Sequence, residues 1–128
     1  MGKNINQSLQ TPLQRTGEKQ DMKGRTPNKK EKEHMDKVSQ LGCIVCRNMG
    51  MGYVPCEIHH IDGKTKENAH MNVIGLCFEH HRRGENNPIY VSRHPYKAEF
   101  VKRYGTEQEL LEQTKDLLET YEEFEYGL

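Results

Sequence analysis

The sequence has no tryptophan, only three phenylalanines, and apolar residues make up just 33% of its 128 positions. A chain this short holds one small domain, and one this poor in apolar residues can build only a thin core. No apolar run is long enough to span a membrane. The first twenty residues, MGKNINQSLQTPLQRTGEKQ, lack the apolar centre of a secretory signal. A cytoplasmic location is expected, where thiols stay reduced, so the four cysteines point to a metal before a disulfide. A small domain with a thin core usually needs such a staple.

Net charge is also lacking: 19 Lys and Arg balance 19 Asp and Glu. The balance hides an asymmetry. Residues 1–30 carry seven basic residues against two acids, whereas residues 99–128 carry three against nine. A basic head suits a polyanion and an acidic tail does not. Residues 1–30 are rich in Gln, Asn, Lys, Thr and Gly without apolar periodicity, the pattern of a disordered arm. Residues 31–128 then form one domain.

Within that domain the pattern becomes helical over KKEKEHMDKVSQL (29–41), with Met35, Val38 and Leu41 in step and Gly42 as a stop. CIVC follows as a tight knuckle. VPCEIHHI (54–61) reads as a strand, DGKTKENAH as a loop opened by an Asp-Gly turn, MNVIGLC as a second extended piece, and FEHHRRGE as the first turns of a helix. Residues 96–104 suggest another helix. Thr106 and Glu109 then make a capping box for the last one, whose stripe of Leu110, Leu111, Thr114, Leu117, Leu118, Tyr121 and Phe124 is read as a packing face.

What the sequence does have is two clusters of ligand-type residues. Cys43-x-x-Cys46 and Cys77-x-x-His80 are two pairs, each able to bite one ion from a knuckle. Thiolates with an imidazole suit zinc, and four protein ligands make a closed, structural site. Cys56 is left over, an ordinary strand residue. The second cluster is histidine: His59 and His60, His70, His81 and His94, with His34 set apart as a solvated residue of the first helix. Neighbouring residues of a strand face opposite ways, so His59 and His60 suit divided labour, one on a metal and one free. Phosphodiester hydrolysis needs a base, a cation for the crowded phosphorus centre and relief of charge on the leaving oxygen. A histidine is a suitable base at neutral pH.

Taken in order, HHID (59–62), Asn72 and LCFEHH (76–81) resemble the motif of HNH (ββα-metal) nucleases. More narrowly, HHIDGKTKENAH, LCFEHHRRG and HPYKAEFVKRYGTEQELL resemble the phage Ref family, recombination enhancement function proteins that are RecA-dependent HNH-type nucleases. The resemblance covers roughly residues 36 to 118. It implies an α+β fold: a small zinc-stabilised ββα-metal core with peripheral helices. It further implies His60 as the general base and Asn72 as the residue that shapes the loop and props that base. His59 and His81 would hold a catalytic divalent ion, Mg²⁺ by expectation, and Cys43, Cys46, Cys77 and His80 a structural Zn²⁺. The third protein ligand of the catalytic ion stays open between His94 and Glu85. Lys64, Lys66, His70, Arg82, Arg83 and Arg93 are the candidates for DNA contact. The expected function is metal-dependent cleavage of DNA directed by a RecA filament in a bacterial host. The alternatives are a zinc-folded DNA- or filament-binding module without catalysis, and a phage HNH nuclease independent of RecA.

Overall fold

In the computed structural model, residues 26–125 are described, and side chains for residues 26–121. Most of the expected basic arm, residues 1–25, lies outside this range. Helix α1 (Lys29–Leu41) starts from a capping box. The Asn28 side chain accepts from the Glu31 amide at 2.8 Å, and Glu31 Oε1 accepts from the Asn28 amide at 2.9 Å. Val38 and Leu41 are buried, as their spacing predicts. The helix stops at Gly42, whose φ is +80° and whose missing Cβ would stand 2.6 Å from the Val54 carbonyl oxygen. Any side chain there would collide with the passing chain.

The expected knuckle is a short helix, α2 (Ile44–Asn48), with the Cys43 thiol accepting from the Cys46 amide at its start. The expected strand 54–61 shortens to β1 (Glu57–His60). The reason lies upstream: the Val54 carbonyl is taken by the Cys43 amide at 2.8 Å, and Pro55 has no amide to offer a ladder. Strand β2 (Val73–Leu76) pairs antiparallel with β1, in the register Glu57–Leu76 and His60–Val73. One turn of helix, α3 (Phe78–His81), follows directly, then α4 (Lys97–Tyr104) and α5 (Glu107–Glu125). The described residues thus form a small α+β unit, a two-stranded sheet among helices.

Gly75, on β2, leaves no room for a side chain: a Cβ would stand 2.6 Å from both the Gly42 carbonyl oxygen and Cys56 Sγ. That close approach lets the end of α1 lie on the sheet. The core joins Ile44 and Val45 of α2, Ile74 and Leu76 of β2, Phe100 of α4, and Leu110 and Leu111 of α5 around Cys43, Cys46 and Cys77. The capping box of α5 forms as expected, with the Thr106 amide on Glu109 Oε1 at 2.8 Å and the Glu109 amide on Thr106 Oγ1 at 3.0 Å. Its apolar stripe is buried only at Leu110, Leu111 and Thr114; Tyr121 is exposed, and the Phe124 side chain lies outside the described range. No described helix is long and apolar enough to cross a membrane.

His34 is not merely solvated. It is half-buried, and its Nε2 lies 3.2 Å from the Met71 carbonyl oxygen, tying α1 to the residues just before β2.

Candidate metal centres

The first site is assembled by two chain reversals. One places Cys43 and Cys46 at the start and within the first turn of α2; the other places Cys77 and His80 at the join of β2 and α3. All four side chains are buried. Cys46 Sγ is 3.8 Å from Cys77 Sγ, and His80 Nδ1 is 3.7, 3.6 and 3.1 Å from the sulfurs of Cys43, Cys46 and Cys77. Donors bound tetrahedrally to zinc stand about 3.5–3.8 Å apart, given bonds of about 2.0–2.3 Å. The set therefore fits Zn²⁺ in chemistry, and these distances match its spacing except the 3.1 Å from His80 to Cys77.

Acidity points the same way. Burial pushes the Cys46 thiol up to about 11, and a hydrogen bond with Cys43 together with burial pushes Cys77 to about 12. The hydrogen bond from Cys77 holds Cys43 below its usual value. Three thiols this close cannot all ionise unless a cation sits among them, which couples metal binding to thiol deprotonation. The His80 ring is packed edge-on by Tyr90 and Tyr104, at 5.1 and 5.0 Å between centroids. Cys56 stands outside the cage, its thiol directed at the Ser39 carbonyl at 3.7 Å.

The second site gathers three imidazoles from three places: His59 on β1, His81 on α3 and His94 in the segment before α4. Their ring centroids form a nearly equilateral triangle, 5.1, 5.2 and 5.2 Å on a side. One nitrogen of each lies within 4.8 Å of the others. His94 lies beside His59 and His81, whereas Glu85 is engaged by Arg83 at 2.8 Å and Asn87 at 2.9 Å.

Two carboxylates orient this triangle. Glu107 Oε2 is 2.6 Å from His59 Nε2, and Glu57 Oε1 is 2.7 Å from His81 Nδ1. The other ring nitrogens, Nδ1 of His59 and Nε2 of His81, would then be the ones to hold an ion, as in carboxylate–histidine–metal arrangements. Burial works to raise Glu107, but the hydrogen bonds from His59 and Arg93 outweigh it and hold the carboxyl at about 2. The Arg82 guanidinium, with His81 helping, holds Glu57 low as well. Burial first, and then for His94 the charge of Arg93, keeps His81 and His94 below the ordinary histidine value. Both are therefore neutral, the form that binds metal, at neutral pH. Three nitrogen donors suit Zn²⁺ and other first-row ions. They suit the expected Mg²⁺ poorly, because that ion takes oxygen ligands.

Neither carboxylate was among the candidates read from sequence. Glu57 had a signal: two residues before His59, it shares that residue's face of the strand. Glu107 had none, standing 48 positions from His59 at the start of another helix.

His60, at the end of β1, faces away from the triangle. Its Nε2 lies 3.0 Å from His70 Nδ1, while its own Nδ1 is buried without a hydrogen-bond partner. Burial, then the charge of Lys64 and the nearby His70 and His59, lowers His60 to about 4. His70 is only 3% exposed. So enclosed, it lies against His60 and not on the open surface where Lys64 and Lys66 stand. The expected support of His60 by Asn72 also takes another form: Asn72 closes the loop through its backbone, its carbonyl accepting from the Ile61 amide at 3.2 Å. The imidazole of His70 is what touches His60.

The remaining cations differ in availability. Lys64 and Lys66 are exposed on the loop. Arg82 is exposed and paired through two nitrogens with Glu57, at 2.9 and 2.7 Å. Arg83 pairs with Glu85 and Glu79. Arg93 is only 14% exposed and spends its Nε on Glu107 at 2.5 Å, which makes it part of the support of His59 more than an open phosphate contact.

A family model described as recombination enhancement, RecA-dependent nuclease matches residues 27–119. This chain belongs to that family. The match spans both metal centres, the intervening loop and most of α5. The family's description names nucleases that depend on RecA, which is the company in which the resemblance of HHID and LCFEHH placed the chain.

Proposed function

We propose that this protein is a metal-dependent endonuclease of the HNH type that hydrolyses DNA phosphodiester bonds where RecA is bound. In this reading β1, β2 and α3 are the ββα-metal core, and Cys43, Cys46, Cys77 and His80 hold a structural Zn²⁺ beside it. The observation that supports it most is the His59–His81–His94 triangle, braced by Glu107 and Glu57, at the end of the strand that also carries His60. A module that only binds DNA has no use for a second, histidine-lined centre of that kind.

His59, His81 and His94 would hold a divalent first-row ion, which would supply Lewis-acid stabilisation of the charge that builds on the phosphate and on the leaving oxygen. His60 is the base that accepts the proton of the attacking water. The P–O bond to the 3′ oxygen breaks as the new P–O bond forms, leaving a 5′ phosphate and a 3′ hydroxyl. Glu107 and Glu57 keep His59 and His81 in orientation throughout. Lys64, Lys66 and Arg82 bind the backbone on either side, a contact that carries position but no base sequence. Target choice then comes from the filament.

The test is cleavage of circular single-stranded DNA with a divalent ion, with and without RecA and ATP, by the native chain and by His60→Ala. Cutting that needs RecA and is lost in the variant, with zinc content unchanged, is the expected result. Cutting without RecA removes the filament from the proposal. DNA binding with no cutting under any of these conditions refutes the nuclease assignment.

A further inference from the structure

We infer that Arg82 is a positioning residue for the metal ligand His81, acting through Glu57; the inference rests on the histidine centre proposed above. His81 and Arg82 are adjacent at the end of α3, and both reach the same carboxylate on β1. His81 Nδ1 is 2.7 Å from Glu57 Oε1, Arg82 Nε is 2.9 Å from that oxygen, and Arg82 Nη2 is 2.7 Å from Oε2. An ionised carboxylate only accepts, so His81 donates from Nδ1. The guanidinium meets the carboxylate edge with two donors, a fork that fixes both oxygens and the plane they lie in. With that plane fixed, Oε1 is held toward His81, and Nε2 is the nitrogen left for an ion.

The two braces of the centre differ in how they are held. Glu107 is 7% exposed and fixed by the packing around it, whereas the Glu57 side chain is 33% exposed. A carboxylate in that position turns about its own side-chain bonds and exchanges partners with water unless something holds it. Arg82 supplies at Glu57 the restraint that burial supplies at Glu107. The guanidinium is itself anchored: its carbon lies 4.9 Å from the centroid of the Phe78 ring, one turn earlier on the same helix. An ion pair this exposed adds little to stability, so its role is geometric. The clamp takes Nε and Nη2 and leaves Nη1 for a DNA phosphate. The charge of Arg82 meanwhile works against metal binding, because a guanidinium repels a divalent ion. Charge and positioning therefore predict effects of opposite sign.

The test is a Co²⁺ titration of protein whose cysteine cage already holds Zn²⁺, followed by the visible absorption of the second ion. Arg82→Gln and Arg82→Lys should each weaken Co²⁺ binding by about threefold to tenfold, less than the 10- to 100-fold for a partner that touches the ligand itself. Zinc content should stay the same and Tm should move little. Arg82→Gln removes a positive charge, which by Coulomb's law alone would tighten binding. Arg82→Lys keeps the charge, but a single ammonium cannot fix both oxygens. In a Glu57→Gln chain either change should add nothing, because residues acting through one another are not additive. Tighter or unchanged binding in Arg82→Gln overturns the inference, as does native affinity in Arg82→Lys. A loss that persists undiminished in the Glu57→Gln chain overturns it too, since Arg82 would then act by another route. If Glu57→Gln does not fold, the two Arg82 variants still decide. A native zinc-loaded chain that takes up no Co²⁺ refutes the histidine centre and the inference with it, a failure seen before any variant is made.

Discussion

Replacing Glu107 with glutamine should weaken the histidine centre far more than the cysteine cage. The carboxylate is 7% exposed and receives His59 Nε2 at 2.6 Å and Arg93 Nε at 2.5 Å on the same oxygen, with Lys97 Nζ 3.8 Å from the other. Glutamine keeps the shape and one acceptor oxygen but brings an amide that cannot accept. It also removes the carboxylate that, among the described residues, pairs with Arg93, which is 14% exposed. Removing one member of a fully buried ion pair costs about 3–5 kcal/mol. Partial exposure of Arg93 and the exposed Lys97 reduce this to about 2–3 kcal/mol, which for a domain of this size is a fall in Tm of roughly 10–20 °C. The effect on the metal is the sharper measure. Loss of the partner that orients a ligating histidine costs about 10- to 100-fold in affinity. Competition titration with Co²⁺ or Zn²⁺ on protein whose cage is already loaded reads that affinity directly. Elemental analysis should show one ion retained and the second readily lost. An affinity for the second ion within twofold of the native value, alongside a lowered Tm, would mean that Glu107 merely pins α5 to β1, and the orienting role would be abandoned.

Other outcomes follow from the same geometry. Stripping zinc with a strong chelator should unfold the domain cooperatively by circular dichroism, because about 10–16 kcal/mol of binding energy matches or exceeds the 5–15 kcal/mol by which domains are usually stable; a helical signal that persists in metal-free protein counts against a structural cage. Gly75→Ala should cost about 1–3 kcal/mol in urea unfolding, as overpacking does. Adding Cys56→Ala should recover only part of this, since the Gly42 carbonyl stands as close as the thiol does, at 2.6 Å; full recovery would locate the clash in the thiol alone. Changing Lys64 and Lys66 together to alanine should lower the slope of log affinity against log salt by about 1.4 on single-stranded DNA, at about 0.7 per phosphate contact, and an unchanged slope would remove the loop from the DNA interface.

Residue type and short-range spacing carried much of this molecule into view. Cys43-x-x-Cys46 and Cys77-x-x-His80 each lie within one turn of chain, so each pair is a local property, and the fold brings the two pairs to within 4.8 Å of one another. The Asn72-closed loop, the stop at Gly42 and the capping box at Thr106 are local in the same sense. The adjacent His59 and His60 had to diverge because strand side chains alternate, and they do.

Other features depend on separations that no local pattern encodes. His94 stands with His59 and His81, while an ion pair to Arg83 and a hydrogen bond from Asn87 hold Glu85 elsewhere. The brace of Glu107 on His59 joins the first residue of one helix to a strand 48 positions away. Arg93 and His70 are both candidates for DNA contact in the sequence. Packing half-buries Arg93 against Glu107 and buries His70 against His60. The sequence by itself determined which side chains could bind metal or move a proton, because that is a property of the residue and its near neighbours. Tertiary structure decided which of them meet, since burial and a charge partner are set only when distant segments share one core.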